Sequence, residues 1–338
     1  MAEYQKIDAD YSDHSATAKS NYYRKEEHLE IDLFQREADL HHRRLTCSRN
    51  PGHENFIPIP DLTLDCFPEA LRHQEVLDYV VAFSKLVVRL KVKHTSGDRP
   101  KNDPFQNFIG RDVLRGATGC VIGEVDMINI EEFPCRDDGC LLQGCVHSVY
   151  GFIDVLTNCH VVHDAKEARF TEVEFFFDAP DRFSVVTLKG HEVKRISRDE
   201  ERVVVRCVTH DIDFLKKLYH LVETAKSLGL AIPRSVKDSS MTDFAIIVSH
   251  PHGSVKGFSI GRLLEYRKTP EKTGMLKRFL RQAAGKRPCL RVTTYTTPTC
   301  PGCTGAPVVT GYDDGWGWWS LSHSTADLNS GINMAFSD

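Results

Sequence analysis

Three short segments carry side chains suited to proton transfer and acyl chemistry. In VLTNCHVV (155–162) an apolar run ends at His160, and an imidazole titrates near neutrality, so it can take a proton and return it. TDFAIIVS (242–249) opens an apolar run with Asp243, a carboxylate able to accept an imidazole proton and fix its tautomer. Asp213, in HDIDFLKK, is the competing acid, and the charged residues after it at helical spacing read it as an exposed helix charge. TCPGCTGAPVV (299–309) sets Gly302 and Gly305 around Thr304, ahead of a Val-Val run. A threonine hydroxyl is a nucleophile once a base takes its proton, and glycines let a tight turn aim backbone N–H groups at one point.

The eleven cysteines offer a second kind of chemistry. Cys135, Cys140 and Cys145 recur every five residues, and Cys300 and Cys303 form one C-x-x-C without a matching second pair. Neither is a usual zinc spacing. Reduced thiols acting as small buried hydrophobes or loop residues are expected, with no metal and no cofactor.

The chain has 338 residues, 41% hydrophobic and 27% charged, an ordinary globular balance. A net charge of −4 supplies no global basic field for nucleic acid or an anionic membrane. The first 25 residues have no apolar core of a secretory signal, and no apolar run elsewhere reaches the length of a membrane span. A soluble, cytoplasmic protein without nucleic-acid or membrane partners is expected.

The elements that must position these groups differ along the chain. Residues 24–44 and 68–83 carry helical patterns around a Pro-punctuated stretch, so residues 1–84 read as a helical N-terminal extension, with a solvated interaction arm as the other view. From residue 85 the pattern turns to short Val- and Phe-rich runs bounded by turn residues: 86–92, 118–125, 145–158, 171–177, 183–188 and 202–208. A helical period at 211–229 interrupts it. Six more β runs follow, at 243–250, 257–266, 289–296, 306–312, 316–323 and 330–336, with a basic insert at 267–287. Two sets of six short strands suit two antiparallel barrels.

In their order, His then Asp then hydroxyl, the three segments resemble the signatures of the trypsin/chymotrypsin-like serine protease family over roughly residues 86–338. Leu156-Thr157 ahead of His160 is similar to the family's approach to its general base. Asp243-Phe-Ala-Ile-Ile is similar to its buried acid, and the run from Gly302 to Pro307 is similar to Gly-Asp-Ser-Gly-Gly-Pro. The resemblance implies a mainly β, chymotrypsin-like fold of two antiparallel six-stranded β-barrels behind the N-terminal extension. A protease domain would span 85–338, with barrel one at about 85–209, a helical linker at 210–240 and barrel two at about 241–338. It implies a triad of His160, Asp243 and Thr304, an oxyanion hole made by the N–H groups of Gly302 and Thr304, and a peptide or protein substrate. His323 lies where relatives that cleave after Glu or Gln place a pocket histidine. Pro298 stands where tryptic enzymes carry a pocket-floor carboxylate, which argues against a preference for Lys or Arg.

The chain departs from the family pattern at the nucleophile. Threonine is β-branched and restricted at χ1, so turning its hydroxyl toward the imidazole pushes the methyl group toward the backbone or the scissile carbonyl. A small misplacement costs on the order of a hundredfold in rate. Cys303 stands for the usual Asp and Ala306 for a Gly, so activation by a freed N-terminus is not expected. Two readings follow: a serine-type endopeptidase impaired by its threonine, or a catalytically inactive homologue serving as a binding or regulatory module.

Overall fold

The structure, a computed structural model, describes residues 27–34, 38–101, 103–129, 149–198, 200–232, 236, 243–270, 289–311, 321–327 and 329–337. Cys135, Cys140 and Cys145, most of the basic insert and the Trp-rich stretch 316–319 lie outside the described residues.

Every strand pair among the described residues is antiparallel. The N-terminal segment contributes β1 (Glu27–Leu29), β2 (Asp32–Phe34), helix α1 (Ala38–Leu45), β3 (Ile57–Pro58) and helix α2 (Gln74–Ser84). Next come β4 (Val87–Val92), β5 (Leu114–Asn129), β6 (Val149–Asn158), helix α3 (Ala165–Arg169), β7 (Thr171–Phe175), β8 (Val186–Ser197) and β9 (Arg202–Thr209). In the order β4-β5-β6-β9-β8-β7 and back to β4, these six strands pair into a closed barrel. Closure leaves no free edge, and Val, Ile and Leu side chains such as Leu90, Ile153, Val173 and Val205 fill the interior.

Helix α4 (Ile212–Ala231) follows the barrel. Asp211 caps it by accepting from the Phe214 N–H at 2.9 Å. Its face of Phe214, Leu215, Leu218, Val222 and Ala225 is buried, and it packs against α2. Asp213 is solvent-exposed on this helix, as its spacing predicts.

The second sheet holds β10 (Phe244–Ser249), β11 (Gly257–Pro270), β12 (Cys289–Tyr295), β13 (Val308–Thr310), β14 (Ser322–Asp327) and β15 (Ile332–Ser337). Its order is β14-β15-β12-β11-β10-β13, with β3 added on β11 and β1 on β14. The end strands meet through one bridge, Pro307 with Ser322, and flanking backbone bonds. The mainly β architecture of two six-strand units agrees with the sequence reading, the second unit being a half-barrel. No helix among the described residues is long and apolar enough to cross a membrane.

The stretch 24–44 differs from its helical pattern. It holds β1 and β2 before α1 begins. β1 takes its hydrogen bonds from β14 and β2 takes its own from β5, so distant partners override the local helical period. Residues 30 and 31, between the two short strands, cross from the second sheet to the first.

Candidate active site

β6 ends at Asn158, and the turn after it presents His160. Asn158 fixes the approach: its Oδ1 accepts from the His160 N–H at 2.8 Å and its Nδ2 donates to Ser324 Oγ at 3.0 Å. The His160 carbonyl accepts from Arg99 Nη2 at 2.9 Å. Arg99 is fully buried and shares Glu167 with Arg115, at 2.7 and 2.9 Å respectively. Burial pushes the Glu167 carboxyl up, but Arg99 and Arg115 more than offset it and hold it at about 2. A buried charge is tolerated only when paired and hydrogen-bonded in this way.

The acid beside His160 is Glu201, and the pairing register explains why. Asn158 on β6 pairs with Arg202 on β9, so the residue before Arg202 lies beside the residues after Asn158. The Cys159 N–H donates to the Glu201 carbonyl at 2.8 Å. Glu201 Oε1 is 3.6 Å from His160 Nε2, and Oε2 accepts from the Ser324 hydroxyl. Glu201 holds a left-handed φ of 55°, uncommon for a non-glycine residue and a mark of a position fixed by its surroundings.

Asp243, the acid of the sequence reading, stands apart from this group. It is exposed at the opening of β10, a strand of the second sheet that pairs with β11 and β13. The carboxylate beside His160 instead comes from the residue just ahead of β9, the strand that pairs with β6. The signal in the sequence was the acidic run ending in Glu201 directly before RVVVRCV.

Thr304 is buried in the turn after Cys303, and its hydroxyl donates to the Ser324 carbonyl at 3.3 Å. The first barrel clamps this turn. Thr118 donates its N–H to the Thr304 carbonyl at 3.0 Å and its hydroxyl to the Gly302 carbonyl at 2.7 Å, and accepts from the His250 N–H at 3.0 Å. Thr157 Oγ1 in turn donates to the Thr118 carbonyl at 2.8 Å. His160, Glu201, Thr304, Ser324 and Asn158 therefore converge where the two sheets meet.

The N–H groups of Gly302 and Thr304 share one acceptor, the carbonyl oxygen of Glu30, at 2.7 and 3.3 Å. On either side of Glu30 the backbone is bound as a strand. Leu29 pairs with Thr325 in β14 and Asp32 with Gly116 in β5. The Glu30 side chain enters a buried pocket. Oε2 lies 2.5 Å from His323 Nε2, whose Nδ1 is 2.7 Å from the Tyr295 hydroxyl. Oε1 accepts from Arg49 Nη1. Arg49 Nη2 also reaches Thr299 Oγ1 at 3.0 Å and Asn333 Oδ1 at 3.2 Å. Burial alone would raise the Glu30 carboxyl, but the Arg49 guanidinium and then His323 bring it below its ordinary value.

His323 thus stands between the Glu30 carboxylate and the Tyr295 hydroxyl. Pro298 is half-buried and its carbonyl accepts from Ser259 Oγ at 3.0 Å, whereas the neighbouring Thr299 reaches the pocket. Arg49 and Ser324 carried no local sequence signal for these positions. Beyond the pocket, Cys47, His53, His252 and Cys300 bring four metal-ligand atoms within 4.8 Å of one another, a grouping that local spacing did not suggest.

Residues 144–315 match the trypsin-like peptidase domain family. No curated protein matches the chain. Among solved structures, the Rv3671c protease from M. tuberculosis in its active form is 13% identical, with 80% of this chain and 82% of that chain covered at a TM-score of 0.40. The inactive form of the Rv3671c protease is also 13% identical, with 80% and 90% covered at a TM-score of 0.39.

Proposed function

The chain belongs to the trypsin-like peptidase family, and we propose that it hydrolyses peptide bonds on the carboxyl side of glutamate, using Thr304 as nucleophile, His160 as base and Glu201 as the acid that orients it. One observation carries this reading. A glutamate carbonyl accepts from the amides of residues 302 and 304 while its carboxylate meets His323 and Arg49.

In the reaction, the substrate carbonyl oxygen takes the place of the Glu30 oxygen between the two N–H groups. These donors stabilise the charge that grows on that oxygen in the tetrahedral intermediate. Thr304 Oγ attacks the carbonyl carbon as its proton passes to His160, and Glu201 stabilises the imidazolium. The C–N bond then breaks as His160 returns the proton to the leaving amine, leaving a threonyl ester. Water repeats the sequence, giving its proton to His160 and its oxygen to the acyl carbon, and Thr304 regains its hydrogen.

The threonine sets the rate. Its hydroxyl donates to the Ser324 carbonyl and must rotate toward the imidazole to react, against the restriction its methyl group imposes. The protein's own strand, with Glu30 and Ile31 at the centre, occupies the cleft in the manner of a substrate, so external peptides enter only when it leaves.

Fluorophosphonate labelling of wild type, Thr304→Ser, Thr304→Ala and His160→Ala tests the reading, paired with mass spectrometry for a new terminus at Ile31. Labelling of wild type that vanishes in both Ala variants is the expected result. Labelling confined to Thr304→Ser means an assembled site silenced by one methyl group. Silence in every folded variant, with no cleavage after Glu30, would make the chain a non-catalytic binding homologue.

A further inference from the structure

Outside the cleft, four ligand-type side chains converge where the N-terminal segment meets the second sheet. Cys47 and His53 flank the turn at Asn50 to Gly52, His252 follows β10, and Cys300 precedes the turn that carries Thr304. His53, His252 and Cys300 are buried and Cys47 is half-buried. Cys47 Sγ is 3.7 Å from Cys300 Sγ, and Cys300 Sγ is 3.5 Å from His53 Nε2. A disulfide needs its sulfurs about 2.05 Å apart, and both cysteines are free. A tetrahedral zinc ion with Zn–S of about 2.3 Å and Zn–N of about 2.0–2.1 Å sets its sulfurs roughly 3.7–3.8 Å apart and sulfur from nitrogen roughly 3.5 Å. The two observed separations match those of a tetrahedral site.

The surroundings have the character of a ligand site. His252 Nε2 is buried without a hydrogen-bond partner, while its Nδ1 lies 3.3 Å from Asp32 Oδ2. That leaves the ε nitrogen facing the cluster with a carboxylate behind the ring, a usual outer arrangement for a ligating histidine. Asn50 donates its backbone N–H to Cys47 Sγ at 3.4 Å and its side-chain Nδ2 to Cys300 Sγ at 3.0 Å, and such donors stabilise thiolates. Both histidines hold left-handed backbone, with φ of 54° at His53 and 52° at His252. A position like that persists only where the surroundings impose it.

We propose that Cys47, His53, His252 and Cys300 bind one structural Zn²⁺ ion per chain. Two thiolates and two imidazoles complete the tetrahedron and leave no open coordination position, so the ion cross-links rather than catalyses. It ties the 47–53 loop to the second sheet. Arg49 lies inside that loop, between two ligands, and reaches Glu30, Thr299 and Asn333. The ion therefore fixes a cation of the carboxylate pocket, and this consequence alone rests on the peptidase reading.

The test is the metal content of the full chain produced in zinc-supplemented medium, measured by inductively coupled plasma mass spectrometry. One zinc per chain is expected in wild type and in Cys66→Ser, with loss in the Cys47→Ser/Cys300→Ser double variant. A folded wild type that stays metal-free after zinc repletion would overturn the proposal, as would a double variant that retains its zinc. A second measurement needs no variant. Cobalt added to the stripped wild type should give the visible bands of a tetrahedral ion with a thiolate charge-transfer band, and should protect Cys47 and Cys300 from alkylation. An octahedral cobalt spectrum, unprotected thiols, or a Cys47–Cys300 disulfide in the isolated protein would each refute it. None of these readouts depends on peptidase activity.

Discussion

The 302–305 turn works because two of its residues lack a β-carbon. Gly302 has a φ of 100°, and a Cβ there would lie 2.5 Å from the His250 carbonyl oxygen. Gly305 has a φ of 88°, and its Cβ would collide with Thr157 Oγ1 and the Thr118 carbonyl. Gly305→Ala should cost about 2–5 kcal/mol, from left-handed strain and overpacking together, read as a lower denaturant midpoint. Glu30→Lys places a second cation against Arg49 and His323, so the strand should leave the cleft. Hydrogen exchange across residues 27–34 should then quicken, and labelling of a competent site should rise several-fold. The chemistry of this turn was legible in the sequence because glycine spacing reports backbone need directly. The neighbour of His160 was less so: Asp243 opens a run that looks like the right strand, while the acidic run ending in Glu201 gains its place beside His160 only through the β6–β9 register.

At the scale of elements, Thr118 on β5 links the first barrel to the turn through two hydrogen bonds and to His250, after β10, through a third. Thr118→Val leaves the Gly302 carbonyl and the His250 N–H without their partner, at a cost of about 1–3 kcal/mol for each buried group left unsatisfied. If the reading of the site is right, kcat should fall more than KM changes, since the oxyanion donors lose their aim before substrate binding does. Behind His160, the Glu167 pair with Arg99 and Arg115 makes the first barrel acid-sensitive. The folded carboxyl, at about 2, lies below its ordinary value of 4.5, so its contribution is present above about 4.5 and is lost as pH falls toward 2. Stability measured by denaturant across that window should drop with acid, and Glu167→Gln should flatten the dependence. The barrel strands were legible because their Val- and Phe-rich runs are local. β1 and β2 were not, since three-residue strands owe their existence to partners far along the chain, β14 for β1 and β5 for β2.

At the scale of the whole molecule, the N-terminal segment is part of the architecture. It adds strands to both sheets, supplies Arg49 to the pocket and Cys47 and His53 to the cysteine–histidine cluster. None of these links has a sequence spacing of its own: the four ligand positions span residues 47 to 300, and only the folded chain makes them neighbours. Because the strand that fills the cleft is tethered, its competition does not weaken on dilution. A short tether holds its occupant at an effective concentration on the order of millimolar, so a peptide offered at micromolar levels starts about a thousandfold behind. Turnover of such a peptide by the intact chain should therefore rise with peptide concentration far beyond the usual range and stay independent of protein concentration. If the peptidase reading holds, a partner that captures residues 27–34 would switch the site on without touching it.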